Sequence, residues 1–373
     1  MIFPDFQTNA MLGLKSKISR LTNSGKPQED FLFSNLNEWQ ESDTRKFMLT
    51  AQDYYGNDND IKDRKRYYID RKGVRQEATN LANSKLKHPF MRKLTNQKVN
   101  YLLSKEFSVQ CDDDKFSELL GEYLDKKFLK MIKNVGRDAV VNGLAWIQIY
   151  YDRLGNLKFK RIPAEEIIPF WADADHTILD AVLRVYTIMQ YLPDGVKKEL
   201  IKVEYHTTEG VWYYEKTDRG LKPDPDKGEG VKGHFIIPQE TMDADGNVMV
   251  DEDNNPIMTN VQMTWDKVPF IAFKYNADEM SLLKLVKSLI DDYDLNTSDT
   301  SNNLQDIPDS IKVVKNYDGT DKGEFTQNLA TFRTAFVSGD GDVKALTTPL
   351  DVAALDSHLN RLRKDIYEAG SGV

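Results

Sequence analysis

Hydrophobic and polar positions divide this chain into a helical part, a strand-rich middle and a second helical part. Apolar residues recur at spacings of three and four from residue 116 to 139, which predicts one long amphipathic helix that ends at Gly143. From Leu144 the period changes to two, and two such runs flank the turn at 152–156, which predicts a β-hairpin. Further strands are predicted at 181–192, 200–206, 211–215, 235–237 and 261–265.

The C-terminal part has a different order of elements. A short apolar strand at 270–273 leads into a helix predicted from 278 to about 305, and a segment with strand character follows at 311–346. A second helix is predicted from about 351. This order is typical of two long helices that pack against each other and carry a small α/β insert. The packing positions, chosen by helical spacing, are Leu282, Leu285, Leu289, Tyr293, Leu355, Leu359, Leu362 and Ile366.

The predicted fold class is therefore α+β, a mixed body with a β meander followed by a helical hairpin. Scattered apolar residues and the break at 25–27 indicate an N-terminal arm that is only partly ordered. The predicted divisions are an arm at 1–45, a body at 46–277, a first helix at 278–310, an insert at 311–346 and a second helix at 347–373.

Composition and charge exclude several classes of protein. Of 373 residues, 40% are hydrophobic and 29% charged, which is ordinary for a globular protein. The net charge of −9 argues against a protein that holds nucleic acid by neutralising phosphates. Cys111 is the only cysteine, so no internal disulfide can form. No apolar run approaches the roughly eighteen residues that span a bilayer, and we expect no membrane association.

No motif in the sequence predicts an enzyme. Gly228, Gly230 and Gly233 match a dinucleotide-loop pattern, but no strand precedes them and no helix follows, so a loop is the better interpretation. The acidic stretch at 243–247 lacks the spacing of a calcium loop, and the five histidines lie far apart. We therefore expect no catalytic residue, no metal ligand and no cofactor.

One charged stretch stands out, along the first C-terminal helix. Residues 278–309 contain eight acidic and two basic side chains, a net charge of −6. By the residues alone, a plain antiparallel helix pair inside one fold remains an alternative to any specialised role. The charged positions considered as a functional surface are Lys284, Lys287, Asp291, Asp292 and Asp294.

Four sequence blocks occur in the order found in one known family. They are 160–169 (KRIPAEEIIP), 268–273 (VPFIAF), 287–294 (KSLIDDYD) and 363–368 (RKDIYE). With these blocks the chain, from about residue 85 to its end, resembles the portal proteins of tailed bacteriophages. The resemblance is to the branch found in siphophages of Gram-positive hosts.

The resemblance implies a ring of about twelve subunits at one vertex of the phage head, through which double-stranded DNA is packaged and ejected. The body would be the wing, the two helices the stem around the DNA channel, and 311–346 the clip. An acidic channel would let DNA slide without tight binding. The clip residues expected to meet the packaging motor or connector are Lys312, Lys315, Asp318, Lys322 and Glu324.

The implied partners are other copies of the chain, the terminase, scaffold and capsid proteins, and a head-completion connector. The implied location is the portal vertex of the virion, with the host cytoplasm during assembly. Family members usually continue into a further helix, a tunnel loop and a crown, so we expect this chain to be C-terminally truncated. Another phage head or connector protein that oligomerises through a helical hairpin remains the alternative.

Overall fold

The structure is a computed structural model in which the chain forms two compact units. The first unit comprises Met1–Thr50 and Val99–Ser281, and the second comprises Ala51–Lys98 and Leu282–Val373. Residues 51–98, predicted as part of the body, thus belong with the C-terminal helices. The described residues are 27–70, 72–79, 81–105, 111–152, 154–191, 195–242, 248–251, 255–306, 312–315, 334–337 and 352–372.

Helices and mostly antiparallel strands are mixed along the described chain, as expected for the α+β class. Short 3₁₀ turns lie at Asp60–Asp63 and Ala164–Glu166. The described α-helices are α1 (Pro27–Glu41), α2 (Asp43–Gly56), α3 (Phe90–Leu103), α4 (Asp114–Tyr123), α5 (Lys126–Asn142), α6 (Leu283–Asp306) and α7 (Val352–Ala369).

The strands form small separate sheets, and only β13 and β14 pair in parallel among those described. The sheet orders are β1-β2, β12-β3-β4, β5-β6-β7-β8-β9, β10-β11 and β13-β14. The strands are β1 (Tyr67–Ile69), β2 (Arg75–Glu77), β3 (Leu144–Tyr151), β4 (Leu157–Ile162), β5 (Ile167–Trp171), β6 (Leu179–Tyr191), β7 (Lys197–Thr207), β8 (Gly210–Thr217), β9 (Gly220–Pro223), β10 (Phe235–Glu240), β11 (Met258–Met263), β12 (Phe270–Lys274), β13 (Lys312–Lys315) and β14 (Thr334–Val337).

The first unit has a core on either side of its strands. The five-stranded meander β5 to β9 buries Leu183, Val203 and Tyr205 against α1. Leu32 and Leu36 of α1 are fully buried in this cluster. Residues 27–41 of the predicted N-terminal arm are therefore helical and packed, since burial of two leucines favours order.

The predicted β3–β4 hairpin is confirmed. Trp146 pairs with Ile162 and Tyr151 with Leu157 in an antiparallel register. Asp152 closes the turn, because its backbone N–H donates to Asn156 and its carboxylate accepts from the same residue's N–H, both at 2.9 Å. Alternation along β3 directs Ala145 and Ile147 towards α5 and Trp146 towards the opposite core.

The single long helix predicted over 116–139 is wrong in one respect, because the structure has two helices there. Asp125 lies in extended conformation between them, and its side chain accepts hydrogen bonds from the N–H groups of Lys127 and Phe128. This N-cap starts α5 anew. The predicted end at Gly143 is confirmed: its φ is +88°, and a Cβ there would lie 2.0 Å from the Glu279 carbonyl oxygen.

In the second unit α6 begins at Leu283, five residues later than predicted, and ends at Asp306, close to the prediction. The delay has a local cause. Glu279 has a φ of +53°, and the Asn276 side chain bonds both the N–H and the carbonyl of Met280, at 2.8 and 2.7 Å. These contacts fix a turn that is incompatible with helix. Helix α7 begins at Val352 as predicted, and it packs against α6.

Candidate functional site

The candidate site is α6, on which most of the predicted functional positions lie. Its buried face starts with four apolar side chains, each with no exposed surface: Leu282 just before the helix, then Leu283, Val286 and Ile290. Leu285, predicted as a packing residue, is 47% exposed and lies off this face. Among the other predicted packing positions, Leu362 and Ile366 of α7 are buried and Leu289, Tyr293, Leu355 and Leu359 are partly buried.

The buried face of α6 continues with polar residues. Asp294, Ser298 and Asn302 follow Ile290 at intervals of four, and each has no exposed surface. Side chains four apart lie on the same side of a helix, so apolar and polar residues form one continuous buried stripe. Buried polar groups need partners, since an unpaired one costs free energy comparable to a lost hydrogen bond.

The partners are backbone N–H groups of the segment that precedes α3. The N–H of Ser84 donates to the Asn302 side chain at 2.6 Å, and the N–H of Leu86 donates to the Ser298 hydroxyl at 2.9 Å. The N–H of His88 donates to the Asp294 carboxylate at 3.1 Å. We call these three contacts the side-chain ladder.

The spacing of donors along the extended segment matches the spacing of acceptors along the helix in the side-chain ladder. Two residues of an extended chain advance about 6.7 Å, and four residues of a helix advance about 6 Å. Alternate N–H groups of the segment therefore meet every fourth residue of the helix. The match satisfies backbone donors without a β-strand partner, which explains why a segment without regular secondary structure can lie along a helix.

Asp294 has more polar contacts than the ladder bond alone. Its carboxylate also accepts a hydrogen bond from the Asn59 side chain at 2.5 Å and lies 2.7 Å from Nδ1 of His88. Burial raises the pKa of Asp294, and these hydrogen bonds oppose that effect. The His88 ring stacks edge-on against Tyr293, at 4.8 Å between ring centroids, so apolar contact holds the imidazole in place.

A second cluster lies one turn earlier on the helix. The Lys287 ammonium donates to Asp291 at 2.8 Å and to Asp60 at 2.5 Å, and it lies over the ring of Tyr54. The Tyr54 hydroxyl donates to Asp291. Burial and the adjacent Asp291 raise the pKa of Tyr54. Burial would lower the pKa of Lys287, but hydrogen bonds to Asp291 and Asp60 outweigh it and raise that pKa.

Two further carboxylates of the helix also have partners within the second unit. Asp299 pairs with Arg64, and Asp292 lies 3.5 Å from the His358 imidazole of α7. The Asp292 side chain is nearly half exposed, whereas Asp294 is fully buried. Lys284 is exposed. Three of the described carboxylates of α6, those of Asp291, Asp294 and Asp299, therefore bind segment 54–88 of the same chain.

Of the predicted clip residues, Lys312 and Lys315 lie on β13, whereas Asp318, Lys322 and Glu324 lie outside the described residues. In the described part of the chain no cluster of three or more His, Cys, Asp or Glu side chains could hold a metal ion. No helix there is long and apolar enough to cross a membrane.

Sequence reasoning missed the residues that bind α6. Tyr54, Asn59 and His88 lie more than 200 positions before their partners, and no local pattern indicates such pairs. A signal did exist on the helix itself. The interval of four that links Val286 to Ile290 also links Asp294, Ser298 and Asn302, and following it past the last apolar residue would have predicted the buried polar stripe.

Comparisons with known proteins give the chain a family. The sequence pattern described as "Phage portal protein, SPP1 Gp6-like" matches residues 38–373, which is most of the chain. The chain belongs to this phage portal protein family. The match includes the whole of α6, α7 and the segment 54–88 that binds α6.

Two relatives in the portal family are similar over most of this chain. The portal protein of Bacillus phage SPP1 is 28% identical over 326 residues, which cover 87% of this chain and 60% of that protein. The portal protein of Clostridium phage phiCD119 is 27% identical over 348 residues, which cover 88% of this chain and 69% of that protein. The chain thus spans between three fifths and seven tenths of the length of these relatives.

Proposed function

We propose that this chain is a subunit of a phage portal, a ring at one vertex of the capsid through which double-stranded DNA enters and leaves. The observation that carries the proposal is membership of the portal family along residues 38–373, together with two relatives that bear the name portal protein. The role is structural and needs no catalytic group, metal or cofactor.

The order of elements along the chain supports a portal architecture. In this proposal α6 and α7, which pack against each other, are the two stem helices. The segment between them, 311–346, is the clip, and its described strands β13 and β14 pair in parallel. The strand-rich first unit is the wing. Docking of the packaging motor and connector is assigned to the clip, including Lys312 and Lys315.

The exposed face of α6 is the part available to DNA or to a neighbouring subunit. It carries Lys284, Leu285, Ser288 and Leu295, with Asp292 at its edge. Asp291 and Asp294 are occupied by contacts within the chain, so they contribute little to a channel wall. A wall with few free charges neither holds phosphates strongly nor repels them strongly, which suits a duplex that must slide.

The proposed partners follow from the ring. They are other copies of the chain, the terminase, scaffold and capsid proteins, and a head-completion connector. The proposed location is the portal vertex of the virion, with assembly in the host cytoplasm.

Negative-stain electron microscopy tests the proposal directly. Purified protein, at several concentrations and after co-expression with the phage scaffold protein, should give rings with a central hole wide enough for a duplex. Particles without a central hole under all of these conditions would contradict the portal function. Closed rings that lack a clip-like projection would favour another connector protein.

A further inference from the structure

The segment just before α6 contains a helix start that the structure does not use. Asn276 is followed three positions later by Glu279, and the apolar residues at the start of α6 come soon after. This is the spacing of a capping box, in which the first side chain accepts a backbone N–H of the first turn and the second bonds back to the capping residue. The spacing predicts a helix that begins at Ala277, whereas α6 begins at Leu283.

Further positions agree with a start at Ala277. Tyr275 and Met280 occupy the two places at which apolar side chains pack across such a helix start. Asp278 puts a negative charge in the first turn, where the helix dipole favours it. None of the residues 277–282 is proline or glycine, so a helix through them meets no breaker.

In the structure the segment forms a turn instead. The Asn276 side chain, which would cap the longer helix, bonds the N–H and the carbonyl of Met280 at 2.8 and 2.7 Å. The Ser281 hydroxyl donates to the Val141 carbonyl at 2.5 Å. Because the capping side chain is already occupied, the turn and the longer helix exclude each other.

Glu279 fastens this turn to the rest of the first unit. Its carboxylate lies 2.8 Å from Nδ1 of His176 and 3.0 Å from Nζ of Lys274. The His176 ring stacks on Trp171 with 5.0 Å between centroids. The loop that carries His176 is held by the Asp173 carboxylate, which accepts two backbone N–H groups at 2.9 and 2.7 Å. The histidine is therefore the fixed side of the contact, and a change of state would occur on the glutamate side.

The contact is accompanied by backbone strain at both of its ends. His176 and Glu279 have left-handed backbone, with φ of +54° and +53°. Residues other than glycine seldom adopt this region, because their Cβ approaches the backbone too closely. Strained residues persist only where the surrounding contacts hold them, and they are common in segments that switch. In a helix Glu279 would have an ordinary negative φ, and its strain would be relieved.

We propose that residues 276–282 are a two-state start of α6. In the described state Glu279 is bound to His176, and the turn keeps the helix short. In the other state the carboxylate leaves the histidine, Asn276 caps the helix, and α6 begins at Ala277. The helix then gains six residues and lengthens by roughly 9 Å. The two states do not depend on the proposed function; that the lengthened helix is a stem helix does.

Two substitutions at position 279 should bias the two states in opposite directions. E279A and E279G both remove the carboxylate, but alanine favours helix and disfavours a left-handed φ, whereas glycine tolerates that φ and disfavours helix. The ratio of long to short helix should be about tenfold or more higher in E279A than in E279G. N276D keeps a capping oxygen but cannot donate to the Met280 carbonyl, so it should also favour the long helix.

The Met280 methyl group reports the state in the full chain. In protein with isotope-labelled methionine methyl groups, its NMR signal is the one that M280L removes. The signal should stay near the wild-type position in E279G and move in a common direction in E279A and N276D. H176A frees Glu279 without altering the segment and should move the signal part of the way. H358A removes a histidine of similar exposure (49% against 41%) and should leave the signal in place.

A structure of E279A, by crystallography or electron cryomicroscopy, gives the direct answer. The helix should begin at Ala277, with a negative φ at position 279. If E279A and N276D keep the wild-type melting temperature and their helix still begins at Leu283, the proposal is overturned. Should E279A fail to fold, N276D and H176A decide by the same criterion, and an unmoved Met280 signal in both would overturn the proposal.

These outcomes are distinguishable from those of the ring test. Rings with a central hole, together with a Met280 signal that no substitution in the segment moves, would overturn the two-state start and leave the portal function intact. A signal that moves as expected in a chain that forms no ring under any condition would support the two states and contradict the portal function.

Discussion

The Asp294 carboxylate and the His88 imidazole lie 2.7 Å apart in the second unit, and Asp294 has no exposed surface. A residue of a helix and a residue of a segment without regular secondary structure, 206 positions apart, thus share a buried polar contact. The same carboxylate accepts the His88 backbone N–H, so it fixes both the side chain and the backbone of the segment. Asp294 therefore attaches segment 84–88 to α6 through polar contacts.

Removal of the Asp294 side chain should destabilise the second unit. D294A leaves the His88 N–H without its acceptor and removes one of the two acceptors of the Asn59 amide, the other being the His88 carbonyl. We expect a loss of about 2–4 kcal/mol in the free energy of unfolding. Hydrogen exchange at the amides of Ser84, Leu86 and His88 measures the local effect. D292A, at a half-exposed carboxylate, is the matched control and should cost less than about 0.5 kcal/mol. Equal effects of the two variants would refute a structural role for Asp294.

Two alanine substitutions distinguish the buried face of α6 from its exposed face. I290A should lower the free energy of unfolding by about 2–4 kcal/mol, because Ile290 is fully buried and its loss leaves a cavity. L285A should cost less than about 1 kcal/mol, since that side chain is 47% exposed. Urea unfolding of the unassembled chain measures both. In an assembled ring L285A should instead weaken assembly, if the exposed face meets a neighbour.

His234 should make the first unit sensitive to acid. Burial, and the stacked His206 ring 6.0 Å away, lower the pKa of His234 from 6.5 to about 4. Its Nδ1 accepts the N–H of Trp265 at 3.3 Å, so protonation there would break that bond. Beside it, the Glu204 carboxylate lies 3.3 Å from His206 Nε2 and also pairs with Arg184 at 3.3 Å.

The direction in which stability changes with pH follows from the lowered pKa of His234. The unfolded chain binds a proton near pH 6.5 and the folded chain only near pH 4, so stability is fully present above pH 6.5 and falls between pH 6.5 and 4. Because His234 is partly exposed, we expect a loss of roughly 1–2 kcal/mol. H234F cannot titrate, and the difference between wild type and variant over this pH range isolates the effect. A constant difference from pH 7 to pH 4 would disprove the coupling.

Weak binding of duplex DNA is expected for the unassembled chain. Among the described charged groups on the exposed face of α6 are Lys284, Asp292 and Asp299, and a single lysine is too few for several phosphate contacts. D292K should raise duplex affinity by roughly 3–10-fold at low salt, and the gain should vanish at moderate salt. D218K places the same charge in a turn of the first unit and should have a smaller effect. Fluorescence anisotropy with a labelled duplex measures these affinities. Submicromolar binding by the wild type at moderate salt would contradict a channel through which DNA slides without tight binding.

Much of the fold could be predicted from local patterns. Alternation of apolar residues defined the β3–β4 hairpin, and glycine at 143 defined the end of α5, because only glycine tolerates that backbone angle against Glu279. The period of two in strands and of three to four in helices is a local pattern of apolar residues. It can therefore be recognised in a single sequence. The same local reasoning joined α4 and α5 into one helix, because it weighed apolar spacing above the capping preference of Asp125.

The sequence by itself determined where α6 and α7 lie and that α6 is acidic, since spacing and charge are properties of the chain. Only the tertiary structure decided what that acidity does. Asp291 and Asp294 were candidates for a channel wall, but their carboxylates bind Tyr54, Lys287, Asn59 and His88 within the chain. A carboxylate has the same charge whether it faces solvent or a buried donor. Which of the two it meets depends on contacts between segments more than 200 residues apart, and no local pattern contains that information.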